Sequence, residues 1–271
     1  MPLDLRISER IVLGFFLYLA AVALFMRLPA DRKRRVIVRA ILISAFILAM
    51  AVPGGSVAAS AREWLPPIYL PLGYWLPAHL VKCTSPRLEG MLLEFDRRVF
   101  GANGLARVVN RAPRLLIELL ELAYLFCYPV VPLGFAWLVL GGFPQEGDRF
   151  WTAVLLAGFS CYGLLPWFPT RAPRAIEETP ARTRSSIRPL NLRVLDRASV
   201  QLNTFPSGHT AASLATALVV GAHLPLAGAV LGAIALSIAV GSVVGRYHYA
   251  ADAIAGAAVA LMAFVLSAVL I

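Results

Sequence analysis

The chain is 271 residues long, 59% hydrophobic and only 15% charged, against about 25% charged for an ordinary water-soluble domain. That balance excludes a soluble globular protein and leaves a single integral membrane domain over residues 1–271 as the expectation, since about 20 apolar residues suffice to cross a bilayer. The net charge of +10 suits anionic lipid or a phosphorylated substrate, whereas nucleic acid is excluded because the arginines cluster in loops between apolar runs and no aromatic-studded basic domain is present.

The apolar runs read as spanning helices are Ile11 to Leu28, Val36 to Val52, Leu115 to Leu140, Phe150 to Phe168, Thr210 to Ala222, Leu226 to Val244 and Asp252 to Ile271. Together they predict an all-α, polytopic transmembrane helical bundle of six or seven spans. The Ile11 run lacks a small-residue cleavage site and is followed by more spans, so it reads as a retained anchor. Residues 53–113 read as an interfacial or re-entrant segment. Within it, Trp64 to Leu80 is apolar but holds Pro66, Pro67, Pro71 and Pro77, each removing a backbone donor that a lipid-exposed helix needs. Farther on, Leu88, Met91, Leu92, Phe95 and Val99 recur at helical spacing while Glu89, Glu94, Asp96, Arg97 and Arg98 fill the other face. That pattern predicts an amphipathic helix lying on the membrane surface. Gly228 with Gly232 and Gly241 with Gly245 read as sites of close helix packing. Cys83, Cys127 and Cys161 are scattered and suggest neither a disulfide nor a zinc site.

Residues 150–271 read as the catalytic core. Their polar stretch from Arg171 to Asn203 directs the search for chemistry to its edges, where three constellations stand. Pro169-Thr170-Arg171-Ala172-Pro173-Arg174 follows one span; Pro206-Ser207-Gly208-His209-Thr210 and Arg246-Tyr247-His248-Tyr249-Ala250-Ala251-Asp252 are separated by two more. Parity therefore brings all three to one membrane face. Asp252 lies four residues after His248, one above the other on a helix. The carboxylate can fix one imidazole nitrogen, leave the other to attack, and favour the cation formed on phosphorylation. A histidine and an aspartate entering a helix at the water boundary fit the same spacing.

Ser207, Gly208 and His209 open an apolar helix, where unpaired amides and the positive dipole end attract anions, and His209 could protonate a departing oxygen. A plain Pro-Ser-Gly turn is the competing account. Arg171 and Arg174 offer forked donors that match phosphoryl oxygens, or else mark the cytoplasmic side.

The Pro-Ser-Gly-His motif followed by His, three residues and Asp resembles the type 2 phosphatidic acid phosphatase superfamily, over Phe150 to Ile271. The resemblance implies His248 as nucleophile, Asp252 as its partner, His209 as general acid, and Ser207 with Gly208 on the phosphate, with no metal or other cofactor. Two features depart from the family pattern. Its opening motif, Lys, six residues, then Arg-Pro, is missing, Arg188-Pro189 having Ala181 where the lysine belongs; Arg171 and Arg174 are the substitutes. Its arginine six residues before the nucleophile is Ser242, while Arg246 stands two residues before His248 and takes the phosphate role. The Pro-Thr-x-x-Pro-Arg stretch and the His-Tyr-x-x-Asp ending look more like the inositol phosphorylceramide synthase and sphingomyelin synthase branch.

These readings predict a lipid phosphate phosphatase acting through a phosphohistidine in a bacterial cytoplasmic membrane. Transfer of the phospho-headgroup to an alcohol is the alternative, and a non-catalytic anionic lipid binder or transporter is the alternative of another class. The face carrying the site stays open: the basic loop favours the cytoplasm, the same arginines also suit phosphate, and the family often works outside. If Trp64 to Leu80 spans, the N-terminus and the motifs lie on opposite faces.

Overall fold

Backbone groups inside a bilayer find no water, so apolar runs of this length must close their hydrogen bonds within helices. The computed structural model describes residues 4–52, 56–101, 104–177 and 185–271, and it is helical throughout its apolar runs. The helices are α1 (Ile7–Phe25), α2 (Ala30–Met50), α3 (Ser56–Trp64), α4 (Pro66–Trp75), α5 (Pro86–Phe100), α6 (Gly104–Arg111), α7 (Arg114–Leu125), α8 (Val130–Leu140), α9 (Gly147–Gly163), α10 (Arg188–Ala198), α11 (Gly208–His223), α12 (Pro225–Val244) and α13 (Ala250–Leu270). No strand is present among the described residues; Thr170 and Asn203 form an isolated antiparallel bridge.

By length and composition α1, α12 and α13 can each cross a membrane, and α7 with α8 adds a fourth crossing if the bent pair counts as one span. The other expected spans fall outside that test of length and composition. α2 carries Asp31, Arg32, Lys33, Arg34, Arg35 and Arg39 in its first turns. α9 and α11, at 17 and 16 residues, are shorter and are enclosed by their neighbours. The Leu115 to Leu140 run, expected as one span, is broken between α7 and α8 and bent by 75°. Pro129, with no N–H to carry the ladder forward, sits at that break.

Trp64 to Leu80, expected as interfacial or re-entrant, is largely helical. Pro66 and Pro67 occupy the first turn of α4, where their missing donors cost nothing, and a short 3-10 turn continues over Pro77–Leu80. The segment runs the length of the bundle beside α9. A Cβ on Gly158 would meet Leu70 at 3.0 Å, and one on Gly73 would meet Phe159 at 2.4 Å. Tyr74 then packs on Tyr162, ring centroids 5.5 Å apart. Neighbouring side chains thus shield the backbone that Pro71 interrupts.

The direction of α1 fixes the two ends of the bundle. Asp148, at the start of α9, accepts the amides of Ile7 and Ser8, each at 3.0 Å. Near the other end of both helices the Tyr18 hydroxyl donates to the Gly163 carbonyl at 2.8 Å. The N-terminus therefore lies opposite the end where α9 delivers the chain to Pro169. Between them Phe15 stacks on Phe159 at 4.1 Å, part of one continuous apolar core.

Small residues set helix spacing as read, with one exception. A Cβ on Gly228 would stand 2.1 Å from the Gly221 Cα, one on Gly241 2.4 Å from the Leu120 carbonyl oxygen, and one on Gly245 2.3 Å from the Tyr247 ring. Gly232 has nothing within 4 Å and closes no interface.

Helix α5 corrects a further expectation. Its apolar residues Met91, Phe95 and Val99 are exposed, but of the side expected to face water Glu89 and Asp96 are buried. An unpaired carboxylate would not tolerate burial, and both are held by arginines of the site loops, as described next.

Candidate active site

The first structural feature is a tight reversal between α12 and α13. The Ser242 carbonyl at the end of α12 accepts the amides of Tyr247 at 2.8 Å and His248 at 3.0 Å, and Arg246 takes a left-handed φ of 60° to make the turn. Ser242 is fully buried, its hydroxyl donating to Ala239. An arginine at 242 would have to fit into that helix contact, which accounts for the departure from the family pattern there.

Asp252 sits in the first turn of α13 and accepts the Tyr249 amide at 3.0 Å. The same oxygen, Oδ2, lies 3.3 Å from His248 Nδ1. A carboxylate only accepts, so Nδ1 is the donor of this pair, and in the neutral imidazole Nε2 is then the nitrogen with the lone pair. A third donor is Asn203 Nδ2, at 2.8 Å from Oδ2. Asn203 also donates to Thr170 Oγ1 at 3.1 Å, and its amide donates to the Thr170 carbonyl at 2.7 Å. Asn203 therefore joins the first motif loop to the carboxylate of the third motif. In the sequence Asn203 is only the last residue of a polar stretch, and no local spacing marks it for a role.

Ser207 caps α11, its hydroxyl accepting the Thr210 amide at 3.3 Å, and it is fully buried. Its own amide donates to the Asp252 carbonyl at 3.0 Å, so the second and third motifs are joined through the backbone. Gly208 is required by packing: a Cβ there would stand 2.4 Å from the Tyr162 ring. These contacts bring His209 and His248 together with ring centroids 5.7 Å apart. Tyr124 and Tyr128 pack edge-on against His209 at 5.8 and 6.0 Å.

Both imidazoles open on a cavity of about 370 Å³. Its polar end is lined by His209, His248, Arg174, Asn203, Thr204 and Gly208. Its apolar length is lined by Pro67, Leu70, Pro71 and Trp75 from the α4 side and by Val131 and Pro132 beyond the α7–α8 break. The two proline-rich irregularities thus frame the space that leads to the histidines.

Three of the expected phosphate contacts are used elsewhere. Ser207 spends its hydroxyl on the helix cap and does not line the cavity. Arg171 grips Glu89 with Nε at 3.1 Å and Nη2 at 2.8 Å. Arg246 bridges Asp96, at 2.9 Å, and Glu177. Arg174 does line the cavity; its amide donates to the Arg246 carbonyl at 3.1 Å, and its guanidinium lies 5.4 Å from the Tyr247 ring centroid.

Arg188 also reaches the Tyr247 ring, while its Nη1 binds Glu121 at 2.9 Å and the Gly245 carbonyl at 3.1 Å. Glu121 is buried and accepts in addition from Asn191 at 2.7 Å and the Tyr247 hydroxyl at 2.6 Å. Tyr247 in turn stacks on Tyr124 at 4.0 Å. This network braces the residue before His248. Ala181, the position of the missing lysine, lies outside the described residues.

Helix α5 is bound to the same loops. Burial pushes the Glu89 carboxyl up, but the guanidinium and amide of Arg171 together hold it below the usual carboxylate range. Burial raises Asp96, against the Ala250 amide at 2.9 Å and Arg246. Nothing in an amphipathic pattern distinguishes a carboxylate facing water from one facing an arginine that arrives more than eighty residues later in the chain.

Apolar helices long enough to cross a bilayer mark an integral membrane protein, in which two histidines and an aspartate stand at one end of the bundle beside a cavity that Arg174 also lines. No curated protein and no solved structure matches the chain. The family model described as the PAP2 superfamily matches residues 91–266, from α5 through most of α13 and including both histidines, and on that match the chain belongs to the PAP2 superfamily.

Proposed function

We propose that the protein is a lipid phosphate phosphatase that works through a phosphohistidine on His248. The observation that carries this reading is the placement of His209 and His248, 5.7 Å apart between ring centroids, at the charged end of an otherwise apolar cavity. Superfamily membership supports a phosphatase or phosphotransferase acting on lipid phosphate.

In the first half-reaction His248 Nε2 attacks phosphorus, a P–N bond forms, and the P–O bond to the lipid alcohol breaks while His209 gives that oxygen its proton. Asp252 holds Nδ1–H and stabilises the positive charge that develops on the ring. The doubly negative phosphate itself favours the imidazolium form of His209. Arg174, which lines the cavity beside both histidines, faces the non-bridging oxygens where charge builds up. In the second half His209 takes a proton from water, the water oxygen bonds to phosphorus, and the P–N bond breaks to release phosphate. Phosphoryl transfer asks a protein mainly for this positioning and charge stabilisation.

Transfer to an alcohol differs only in the second acceptor. The apolar walls of the cavity, which disfavour free water, and the sequence likeness to the inositol phosphorylceramide and sphingomyelin synthase branch support it as the second reading. Rapid acid-free quenching with 32P-labelled phosphatidic acid is expected to trap acid-labile label on the wild-type chain and none on His248→Ala. A wild-type chain that binds the lipid but neither traps label nor releases phosphate would instead be a binder or transporter.

A further inference from the structure

One face of α4 forms a wall of the cavity. Pro67, Leu70, Pro71, Tyr74 and Trp75 line it, at the spacing that brings side chains to one side of a helix. Val131 and Pro132, in the first turn of α8, form the wall opposite. Trp75 stands at the histidine end, where its Nε1 donates to the Ala198 carbonyl at 2.7 Å. From there to Pro67 the α4 wall runs about 12 Å, at the helical rise of about 1.5 Å per residue.

The two walls meet just beyond the deepest of these residues. Trp64, a turn before Pro67, packs edge-on against Phe135, a turn after Pro132, with ring centroids 4.8 Å apart. Neither lines the cavity. Phe135 is fully buried and packed on Phe150 and Trp151, at 5.4 and 4.8 Å, so it cannot yield. Trp64 is 45% exposed, and it is the member of the pair whose removal leaves the aromatic core in place. Trp64 and α4 precede residues 91–266, which the family model matches, so this end of the cavity belongs to the chain itself and not to the superfamily pattern.

We infer that the Trp64–Phe135 contact is the floor of a tail subsite and sets the longest tail that the site accepts. The subsite rests on the proposed function, since it takes the apolar length of the cavity for the tail of a lipid phosphate whose phosphorus lies at the histidines. An extended alkyl tail advances about 1.3 Å per carbon, given C–C bonds of about 1.5 Å. One lying along α4 therefore meets the floor after about nine carbons. A bilayer or micelle already shelters a tail as well as apolar side chains do. The length limit thus comes from the misfit of a tail that is too long, as overpacking does in a core.

The test uses the full chain in detergent with monoalkyl phosphates from hexyl to octadecyl. In the wild type kcat/KM for phosphate release is expected to hold up to about nine carbons and to fall about tenfold by hexadecyl. Trp64→Ala opens the floor and is expected to raise the hexadecyl-to-octyl ratio of kcat/KM about tenfold. Val131→Phe fills the deep end from the α8 wall and is expected to move the fall to shorter tails. A wild-type profile without a fall overturns the floor, and so does a folded Trp64→Ala chain with the wild-type profile. If that substitution prevents folding, Val131→Phe decides, and a profile it leaves unmoved overturns the floor.

If the wild type releases phosphate from no member of the series, the phosphatase reading fails, and the floor is read from binding alone. Alkylphosphonates, which carry no ester bond to break, raise the melting temperature if they bind the folded chain. Octylphosphonate is expected to stabilise the wild type more than hexadecylphosphonate does, and the two to stabilise Trp64→Ala alike. Equal shifts in the wild type, or none, overturn the floor.

Discussion

Gly256 of α13 lies directly against Ser207: a Cβ on Gly256 would stand 2.6 Å from the Ser207 carbonyl oxygen. The contact is backbone to backbone, one helical turn beyond Asp252, and it adds to the bond from the Ser207 amide to the Asp252 carbonyl. The separation of the two histidines is therefore set by how closely α13 approaches the start of α11.

Gly256→Ala forces that approach apart, because no flexible side chain is available to yield. A displacement of about 1 Å at a catalytic group costs on the order of 100-fold in rate, so kcat is expected to fall by roughly that factor. Kinetics with phosphatidic acid, set beside a melting curve in detergent, check it; a large loss of melting temperature with unchanged kcat in the folded fraction would mean that the glycine serves packing alone.

Asp252→Asn leaves the shape of the site but reverses the donor at Oδ2, so the His248 tautomer with a free Nε2 loses its partner. In the analogous orienting role of a serine protease aspartate the loss is about 10⁴-fold in kcat, and a loss of 10³-fold or more is expected here on that scale. Asn203→Leu should do less, about 10- to 100-fold, because it removes one charged hydrogen bond worth roughly 1.5–3 kcal/mol. Single-turnover phosphorylation rates at fixed pH separate the two; an Asn203→Leu chain with wild-type rates would make that residue a loop tie only.

How much of this was legible in the sequence depends on the distance over which each feature is encoded. His209, His248 and Asp252 are local: a Pro-Ser-Gly turn before an apolar run and a four-residue spacing carry their own geometry, and span parity brings them to one face. The helices followed from apolar length. What could not be read was partner choice across long separations. Glu89 and Asp96 fit an amphipathic helix equally well whether they face water or Arg171 and Arg246. Nor do four prolines announce that α4 will run beside α9, since the glycines that accept it, Gly158 and Gly73, look like any others in an apolar run.

The Glu89–Arg171 pair gives the fold an acid limit. The Glu89 carboxyl is held below its ordinary value in the folded chain, so its contribution is fully present above the unfolded value of about 4.3 and is lost as pH falls through the lower folded value. Melting temperature in detergent is expected to decline below about pH 4, and Glu89→Gln should be less stable at neutral pH and show a shallower decline in acid. A parallel decline in both chains would assign the acid limit to other carboxylates.

The last prediction ranks the arginines. Arg171 and Arg246 are engaged by Glu89, Asp96 and Glu177, whereas Arg174 lines the cavity beside both histidines. If a single guanidinium faces the phosphoryl oxygens, removing it deprives the transition state of a charge-assisted contact in a site shielded from water, at a cost on the order of 10²- to 10³-fold in kcat. Arg174→Ala is expected to show that loss with little change in melting temperature, and Arg174→Lys to recover part of it, since a point charge replaces a fork. Arg246→Ala should do the opposite, leaving Asp96 buried without its partner and lowering stability first. Equal kinetic losses at 174 and 246, at matched stability, would mean that the ion pairs of α5 open when substrate binds and that Arg246 moves to the phosphate.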